Sequence, residues 1–270
     1  MKRNKVNKPQ HPLGVDTPVA GESATWQFVA GVVGEMLPRV GNALGYVEEL
    51  RRQEREADAV EMERLGLLFR TRRNLQALHR TLRCLGSLAR YSTLGTLDCP
   101  DRIIVNRLCR MLVQSGEIKA EFESGLPDSF TLRTNEAALA ELIQTLVLQG
   151  SARLLRREDG SGDHRLLLCV APRKVRGEDR LVFIVEDNGG RMAPGDIGRA
   201  FTLPDELPTA RHELQDRMEL RLCWQIVRLL GGSIRIDPDF SDGRRVIFTV
   251  GCVRDSGTEG PGNAFNTNII

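Results

Sequence analysis

Two long runs of apolar residues, spaced alternately by three and four, constrain the fold of this chain more than any other feature. A charged stretch, residues 51–56, separates them. Such spacing places the apolar side chains along one face of a helix. The sequence therefore predicts two helices joined by a polar turn. The first seam comprises Trp26, Val29, Val33, Met36, Val40, Ala43, Val47 and Leu50, and the second comprises Met62, Leu65, Leu68, Leu75, Leu78, Leu82, Leu85 and Ala89.

The two predicted seams can be buried in two ways. Two copies of the hairpin can associate as a four-helix bundle, which buries every seam and predicts a homodimer. Alternatively, a single antiparallel hairpin packs only on its own neighbouring domain. Small polar residues and a glycine at 92–95 predict a hinge after the second helix.

Beyond the hinge the periodicity predicts an α/β domain. Asn135 is a good N-cap for the middle one of three predicted helices, and Gly231-Gly232 ends the last. The expected architecture is α+β, a helical hairpin followed by a two-layer α/β sandwich with helices on one face of a mixed sheet. The predicted helices are 104–114, 136–156 and 216–230, and the predicted strands are 117–123, 129–133, 165–171, 180–186, 233–237 and 244–250.

The length of 270 residues allows two modest domains. We expect a helical hairpin that mediates dimerisation at 25–95 and the sandwich at 101–253. The polar segments 1–24 and 254–270 are expected to be disordered tails.

Charge and cysteine usage narrow the class of protein. The net charge is +2, from 38 basic and 36 acidic side chains, so no overall field would hold nucleic acid or an anionic membrane. The six cysteines are scattered without a Cys-x-x-Cys pair, which is typical of buried thiols in a reducing compartment. No run of 18 apolar residues and no signal-peptide pattern occur. These features predict a cytoplasmic protein without a membrane span.

Three stretches are similar to the core of bacterial sensor histidine kinases. Residues 185–190, Val-Glu-Asp-Asn-Gly-Gly, resemble the family's first glycine box, and residues 222–236 resemble its lid helix and final strand. Leu126-Pro127-Asp128, followed by Asn135 and a Leu-rich helix, resembles the start of its asparagine box. The resemblance implies the ATPase superfamily that includes gyrase, a heat-shock chaperone and MutL. It also implies protein-histidine kinase activity with ATP and Mg²⁺ as cofactors.

The resemblance assigns five residues to nucleotide binding. It implies that the Asp187 carboxylate accepts a hydrogen bond from the adenine amine, and that Gly189 lets the backbone approach the base. Gln149 stands at the position of the magnesium-binding Asn, and Arg153 can replace a nearby phosphate-facing Lys. Arg217 begins the segment that aligns with the lid's Gly-x-Gly and can attract phosphate.

Several positions depart from the family's pattern. Arg217-Met218-Glu219 replaces the Gly-x-Gly whose bare backbone amides wrap the triphosphate, and Glu219 would present a carboxylate to an anion. Arg191 replaces the second glycine of the first box, and Thr145 replaces an Asn. Gln149 carries its amide on a longer stem, which is a poor fit to the octahedral geometry of magnesium. We therefore predict that most of the phosphate-facing edge is lost.

The first helix lacks the family's phosphoacceptor. The alignment places Gly34 at the position of the reactive His, with Glu35, the usual proton acceptor, beside it. Glycine has no nucleophile. The hairpin contains one histidine, His79, which lies one residue off the second seam. His79 is an alternative phosphate acceptor, and Arg80 or Arg83 could pair with the phosphorylated product.

These observations predict a degenerate histidine-kinase-like protein of two-component signalling. It would act as a dimeric binding or regulatory module that pairs with a response regulator or a true kinase. Two alternatives stay open. One is an active ATP-dependent kinase with shifted nucleotide contacts, and the other is a phosphotransferase that works through His79 without any nucleotide.

Overall fold

The computed structural model of the chain describes residues 20–56, 62–156, 163–175, 177–202 and 211–251. Residues 1–19 and 252–270 lie outside the described residues, and with them almost all of both predicted tails, His11 and Cys252.

The hairpin consists of α1 (Ala20–Glu56) and α2 (Met62–Ser92). The two predicted helices are confirmed, but the predicted seam is partly wrong. Met36, Leu50 and Leu78 are 42%, 49% and 41% exposed. The observed seam keeps six of the predicted residues and adds Leu37 and Leu44 on α1, because a hairpin buries only the faces that point at each other. Its members are Val29, Val33, Leu37, Val40 and Leu44 on α1, and Leu75, Leu82 and Leu85 on α2.

The sandwich follows with a mixed sheet, as predicted. Its elements are β1 (Asp101–Ile104), α3 (Val105–Leu112), β2 (Glu121–Ser124), β3 (Thr131–Thr134), α4 (Glu136–Leu154), β4 (Leu166–Val175), β5 (Glu178–Asp187), α5 (Pro194–Ile197), α6 (Arg211–Leu229), β6 (Ile234–Ile236) and β7 (Arg244–Gly251). Five of the strands form one sheet in the order β2-β4-β5-β7-β6, in which β2 and β4 are parallel and the other neighbours are antiparallel. Strands β1 and β3 form a separate antiparallel pair. The sequence predicted neither β1 nor α5.

The core lies between the sheet and helices α4 and α6. Alternate residues of the central strands are fully buried, as the period of two requires. Phe183 of β5 and Phe248 of β7 stack with ring centroids 4.8 Å apart. The core thereby fixes the last residue of β5 and the first of β7 beneath the end of α4. The inward-facing side chains include Leu168, Val170, Leu181, Phe183, Val185, Val246 and Phe248.

Local signals at the helix ends act as the sequence predicted. The Asn135 side chain accepts a hydrogen bond from the backbone N–H of Ala138 at 2.9 Å, which caps α4. Gly231 adopts φ +70° directly after α6, and Gly232 N–H donates to the Val227 carbonyl.

Helix α2 packs against the sandwich through both apolar and polar contacts, and its Cys84, Leu88 and Tyr91 are buried in the core of the sandwich. Arg80 and Glu219 form an ion pair of 2.9 Å. Three side chains of α2, Ser87, Arg90 and Tyr91, converge on the carboxylate of Glu141 in α4. Among the described helices, none combines the length and apolar character that a bilayer crossing requires.

Candidate functional site

Asp187, the predicted adenine acceptor, is the last residue of β5 and is only 2% exposed. Its Oδ1 accepts hydrogen bonds from Arg153 Nε and from the backbone N–H of Gly189, both at 3.1 Å. Its Oδ2 lies 3.2 Å from Nη2 and 3.3 Å from Nε of Arg244. Both carboxylate oxygens therefore have donors from the chain itself.

Arg244 is a guanidinium enclosed in the protein, with a side chain 1% exposed. It is the first residue of β7 and lies directly opposite Asp187 in the antiparallel pairing of β5 and β7. Burial lowers the pKa of Arg244, and the charge of Asp187 opposes that shift. An arginine retains its proton even so, because the guanidinium group is a very weak acid and stays charged in proteins. The pair is thus a buried ion pair between neighbouring strands.

Gln149, the predicted magnesium ligand, is also engaged. It lies in α4 with no exposed surface, and its Oε1 accepts a hydrogen bond of 2.8 Å from Arg244 Nη1. Its Nε2 donates to the backbone carbonyl of Asp216 in α6 at 2.8 Å. The amide oxygen that would face a magnesium ion faces a guanidinium instead.

Two further arginines of the α4 end close the arrangement. Arg153 donates from Nη2 to the carbonyl of Gly190, in addition to its contact with Asp187. Arg156 forms an ion pair of 2.9 Å with Asp216. We call the set Asp187, Arg244, Gln149 and Arg153 the arginine cluster.

Three glycines allow the backbone to close around the arginine cluster. A Cβ on Gly243 would lie 2.0 Å from the Asp187 carbonyl oxygen, and Gly243 has φ +153°. A Cβ on Gly189 would lie 2.9 Å from Asp187 Oδ1, and one on Gly150 would lie 2.6 Å from Leu166. These close approaches require glycine, and at Gly189 the space serves Asp187 and Arg153 of the chain itself.

The arginine cluster does not fit magnesium-ATP as the resemblance would have it. A base that donates its amine to Asp187 would compete with two guanidinium groups. A divalent cation at Gln149 Oε1 would lie beside the positive charge of Arg244, and like charges at such distances repel strongly in a buried site. Mg²⁺ also demands oxygen ligands at about 2.1 Å in near-octahedral geometry.

The residues aligned with the lid's Gly-x-Gly lie within α6. Glu219 contacts Arg80 of α2 at 2.9 Å, so its carboxylate is paired with an arginine of the hairpin. Arg217, by helical spacing, lies on the outward face of α6, away from Asp216 and Arg156. Arg191 donates to the carbonyl of Pro238 at 2.9 Å.

The predicted hairpin residues lie apart from the arginine cluster in the chain and in the fold. Gly34 is exposed on α1, and no described atom lies within 4 Å of where its Cβ would be. The side chain of Glu35 lies outside the described residues. His79 is half-buried on α2, and its Nδ1 is buried without a hydrogen-bond partner among the described residues.

Sequence reasoning brought Asp187, Gly189, Gln149 and Arg153 together but missed Arg244. The signal was present as Arg244-Arg245 at the start of an otherwise apolar strand. The role of Arg244 becomes visible only from the register that places it opposite Asp187. Strand register is set by tertiary structure, so the local sequence does not reveal it.

No protein-family model matches the chain, and no curated protein matches it in sequence. Among solved structures, the chain is similar to full-length ShkA in complex with AMPPNP, with a TM-score of 0.56 and 16% identity. The match covers 84% of this chain and 46% of the ShkA chain, so this chain spans less than half of that protein.

Two other solved structures show weaker likeness. One is the catalytic domain of the histidine kinase ThkA in nucleotide-free form, with a TM-score of 0.43 and 12% identity. The other is the mycobacterial sensor histidine kinase MprB, with a TM-score of 0.41 and 12% identity. Each match covers 56% of this chain, and 95% and 96% of those chains. The ShkA match and the observed elements together show that the chain has the fold of a histidine-kinase core, a helical hairpin followed by an α/β sandwich of the histidine-kinase ATPase type.

Proposed function

We propose that this chain is a histidine-kinase-like protein of two-component signalling that acts as a dimeric binding or regulatory module and does not transfer phosphate. The observation that carries the proposal is the occupation of Asp187 and Gln149 by Arg244. In this proposal residues 25–95 form the dimerisation domain and residues 101–253 the ATPase-like domain.

The free energies involved favour the contact of Arg244 with Asp187 and Gln149 over a bound adenine base. Breaking a buried ion pair while one charge stays buried costs about 3–5 kcal/mol. A hydrogen bond from a neutral adenine amine to a carboxylate contributes about 1.5–3 kcal/mol net. A nucleotide that displaced Arg244 from Asp187 would therefore cost more free energy than its hydrogen bond to Asp187 returns.

The residues of the hairpin at the aligned phosphoacceptor position support the same proposal. Gly34 has no nucleophile at the position the resemblance assigns to the reactive histidine. Of the two ring nitrogens of His79, Nδ1 is buried, which leaves Nε2 as the nitrogen that a phosphoryl donor would have to reach.

The outer face of the hairpin supports association. Met36, Tyr46, Leu50 and Leu78 are between 41% and 73% exposed. Large apolar side chains grouped on a helix pair are typical of a surface that a partner covers. We propose that a second copy covers it in a four-helix bundle and that a response regulator or an active kinase binds the dimer.

The decisive experiment measures nucleotide binding and phosphorylation on the purified full chain. Mg-ATP at millimolar concentration should leave the melting temperature unchanged, whereas a ligand at about 100 times its Kd would add roughly 2.7 kcal/mol to stability. No acid-labile phosphohistidine should form from ATP. A rise in Tm that Asp187→Asn abolishes, or ATP-dependent phosphohistidine, would establish the active kinase instead.

A second assay separates the phosphotransferase alternative. A response regulator phosphorylated by a small phosphodonor should keep its phosphate when mixed with the protein. Faster loss with the wild type than with His79→Ala would instead assign phosphotransfer to His79.

A further inference from the structure

The outward face of α6 carries a row of large side chains that the proposed function does not use. Arg217, Arg221, Trp224 and Arg228 follow one another at spacings of four, three and four, so they lie along one stripe of the helix. The opposite face of α6 is buried, with Leu220, Cys223, Ile226 and Val227 each at 1% exposure or less. We call these four residues the α6 stripe.

Trp224 sits between two guanidinium groups. The Arg221 guanidinium lies 4.2 Å from the centroid of the indole, and that of Arg228 lies 4.8 Å from it. The indole is half-buried and is not part of the hydrophobic core beneath α6. Such stacking keeps the arginines extended along the helix, and it lowers the entropy lost when a ligand binds them.

The charge of the α6 stripe is positive and incompletely balanced. Neither Arg217 nor Arg228 forms an ion pair with a carboxylate of the described residues. Two acidic residues of α6 have other partners, since Asp216 pairs with Arg156 and Glu219 pairs with Arg80. Glu213 lies four residues before Arg217, at the N-terminal end of the same helical face, and no ion pair joins these two described residues.

We infer that the α6 stripe is a docking surface for an acidic segment of a partner protein. Guanidinium groups bind carboxylates through paired hydrogen bonds, so two arginines that have no carboxylate partner among the described residues are complementary to Asp and Glu side chains. Tryptophan and arginine are also the residue types that contribute most at protein interfaces, where they pair with a partner's side chains. An acidic polypeptide satisfies both the charges and the indole.

This inference names the chemistry of a partner for the proposed binding module, and it does not depend on whether ATP binds. The stripe and the arginine cluster have no residue in common. Mg-ATP binding would therefore refute the proposed function and leave this docking surface standing, and the reverse also holds.

The test uses Trp224 as its own reporter. The chain has two tryptophans, so the full-length Trp26→Phe variant leaves Trp224 as the single indole. Titration with poly-L-glutamate at low salt should change its fluorescence and reach saturation. Arg217→Gln combined with Arg228→Gln should raise the midpoint at least roughly tenfold, since each lost charge-assisted contact is worth about that factor.

A matched control uses another exposed arginine. Arg235→Gln, in β6, should leave the midpoint as in the parent protein. Binding of fluorescein-labelled poly-L-glutamate to Trp224→Phe, read by anisotropy, should be weakened as well, and circular dichroism should show that each variant is folded.

Three results would overturn the inference. They are the absence of a saturable fluorescence change, equal weakening by Arg235→Gln, and tighter binding of oligo-deoxythymidylate or phosphatidylglycerol vesicles than of poly-L-glutamate. The last would make the stripe a general anion or membrane-binding surface rather than a protein-docking surface.

Discussion

Replacing Arg244 by methionine removes the cation of the buried pair and keeps a side chain of similar length. At 3.2 Å between Arg244 Nη2 and Asp187 Oδ2, and an effective dielectric constant of about 20, the attraction is about 5 kcal/mol. Removal leaves Asp187 buried with a second cation, Arg153, still 3.1 Å away. The cost therefore lies near the lower end of the range for a broken buried pair, about 3 kcal/mol.

The loss of the hydrogen bond to Gln149 adds about 1 kcal/mol. We expect Arg244→Met to lower the free energy of unfolding by about 4 kcal/mol, and the melting temperature by roughly 8–16 °C. Urea denaturation followed by circular dichroism measures the first, and a thermal melt measures the second.

The neighbouring residue provides a matched control. Arg245 is 25% exposed and pairs with Glu186 and Asp237 on the other face of the sheet. Arg245→Met should cost clearly less than Arg244→Met, because a quarter of the Arg245 side chain is in contact with solvent and Glu186 keeps Arg165 as a second partner at 3.7 Å. Combining Arg244→Met with Asp187→Leu should cost less than the sum of the single changes by about 2 kcal/mol, since the double change leaves no unpaired charge between the strands. A cost for Arg244→Met as small as that for Arg245→Met would refute the reasoning.

Two further predictions concern the backbone at the arginine cluster and the contact between α2 and α6. Gly243→Ala should destabilise the protein by more than about 2 kcal/mol, because φ is +153° and the new Cβ would lie 2.0 Å from the Asp187 carbonyl oxygen. Gly41→Ala, in open space on α1, should instead stabilise by about 0.5–1 kcal/mol in the same urea titration. Burial raises the pKa of Glu219 above its ordinary value of 4.5, and Arg80 opposes that shift. A raised carboxyl pKa favours the protonated folded state, so wild type should gain stability relative to Glu219→Gln as the pH falls from neutral towards 4.5. An unchanged difference across that range would show that Glu219 does not titrate in the folded protein.

The fold was predictable because its signals are local. The capping side chain of Asn135, the positive φ of Gly231 and the alternation along β5 and β7 each depend on a few consecutive residues. The hairpin seam was predictable in most of its residues. On α1 the predicted and observed sets share Val29, Val33 and Val40, and contact with α2 selects Leu37 rather than Met36.

The candidate site could be predicted only in part, for a reason of geometry. Asp187, Gly189 and Gln149 were identified by similarity to a family's motifs, which specify residues near one another in the chain. Their occupant, Arg244, lies 57 residues beyond Asp187 and reaches it only through the pairing of β5 with β7. Nothing in the local sequence of either strand indicates that pairing.

Under the proposed function, the arginine cluster accounts for a chain that keeps the residues of a binding site without its ligand. Asp187 and Gln149 are buried polar groups, and each would be costly to leave unpaired in a sandwich of this kind. A magnesium-bound nucleotide would supply hydrogen-bond donors from its base and positive charge from its metal ion. Arg244 supplies both donors and charge from within the chain. With Arg244 as its partner, Asp187 is required for stability, because removal of Asp187 would leave the buried guanidinium of Arg244 without its carboxylate partner. A motif of the first glycine box therefore indicates the fold, and the partner of its carboxylate indicates whether the site is open to ATP.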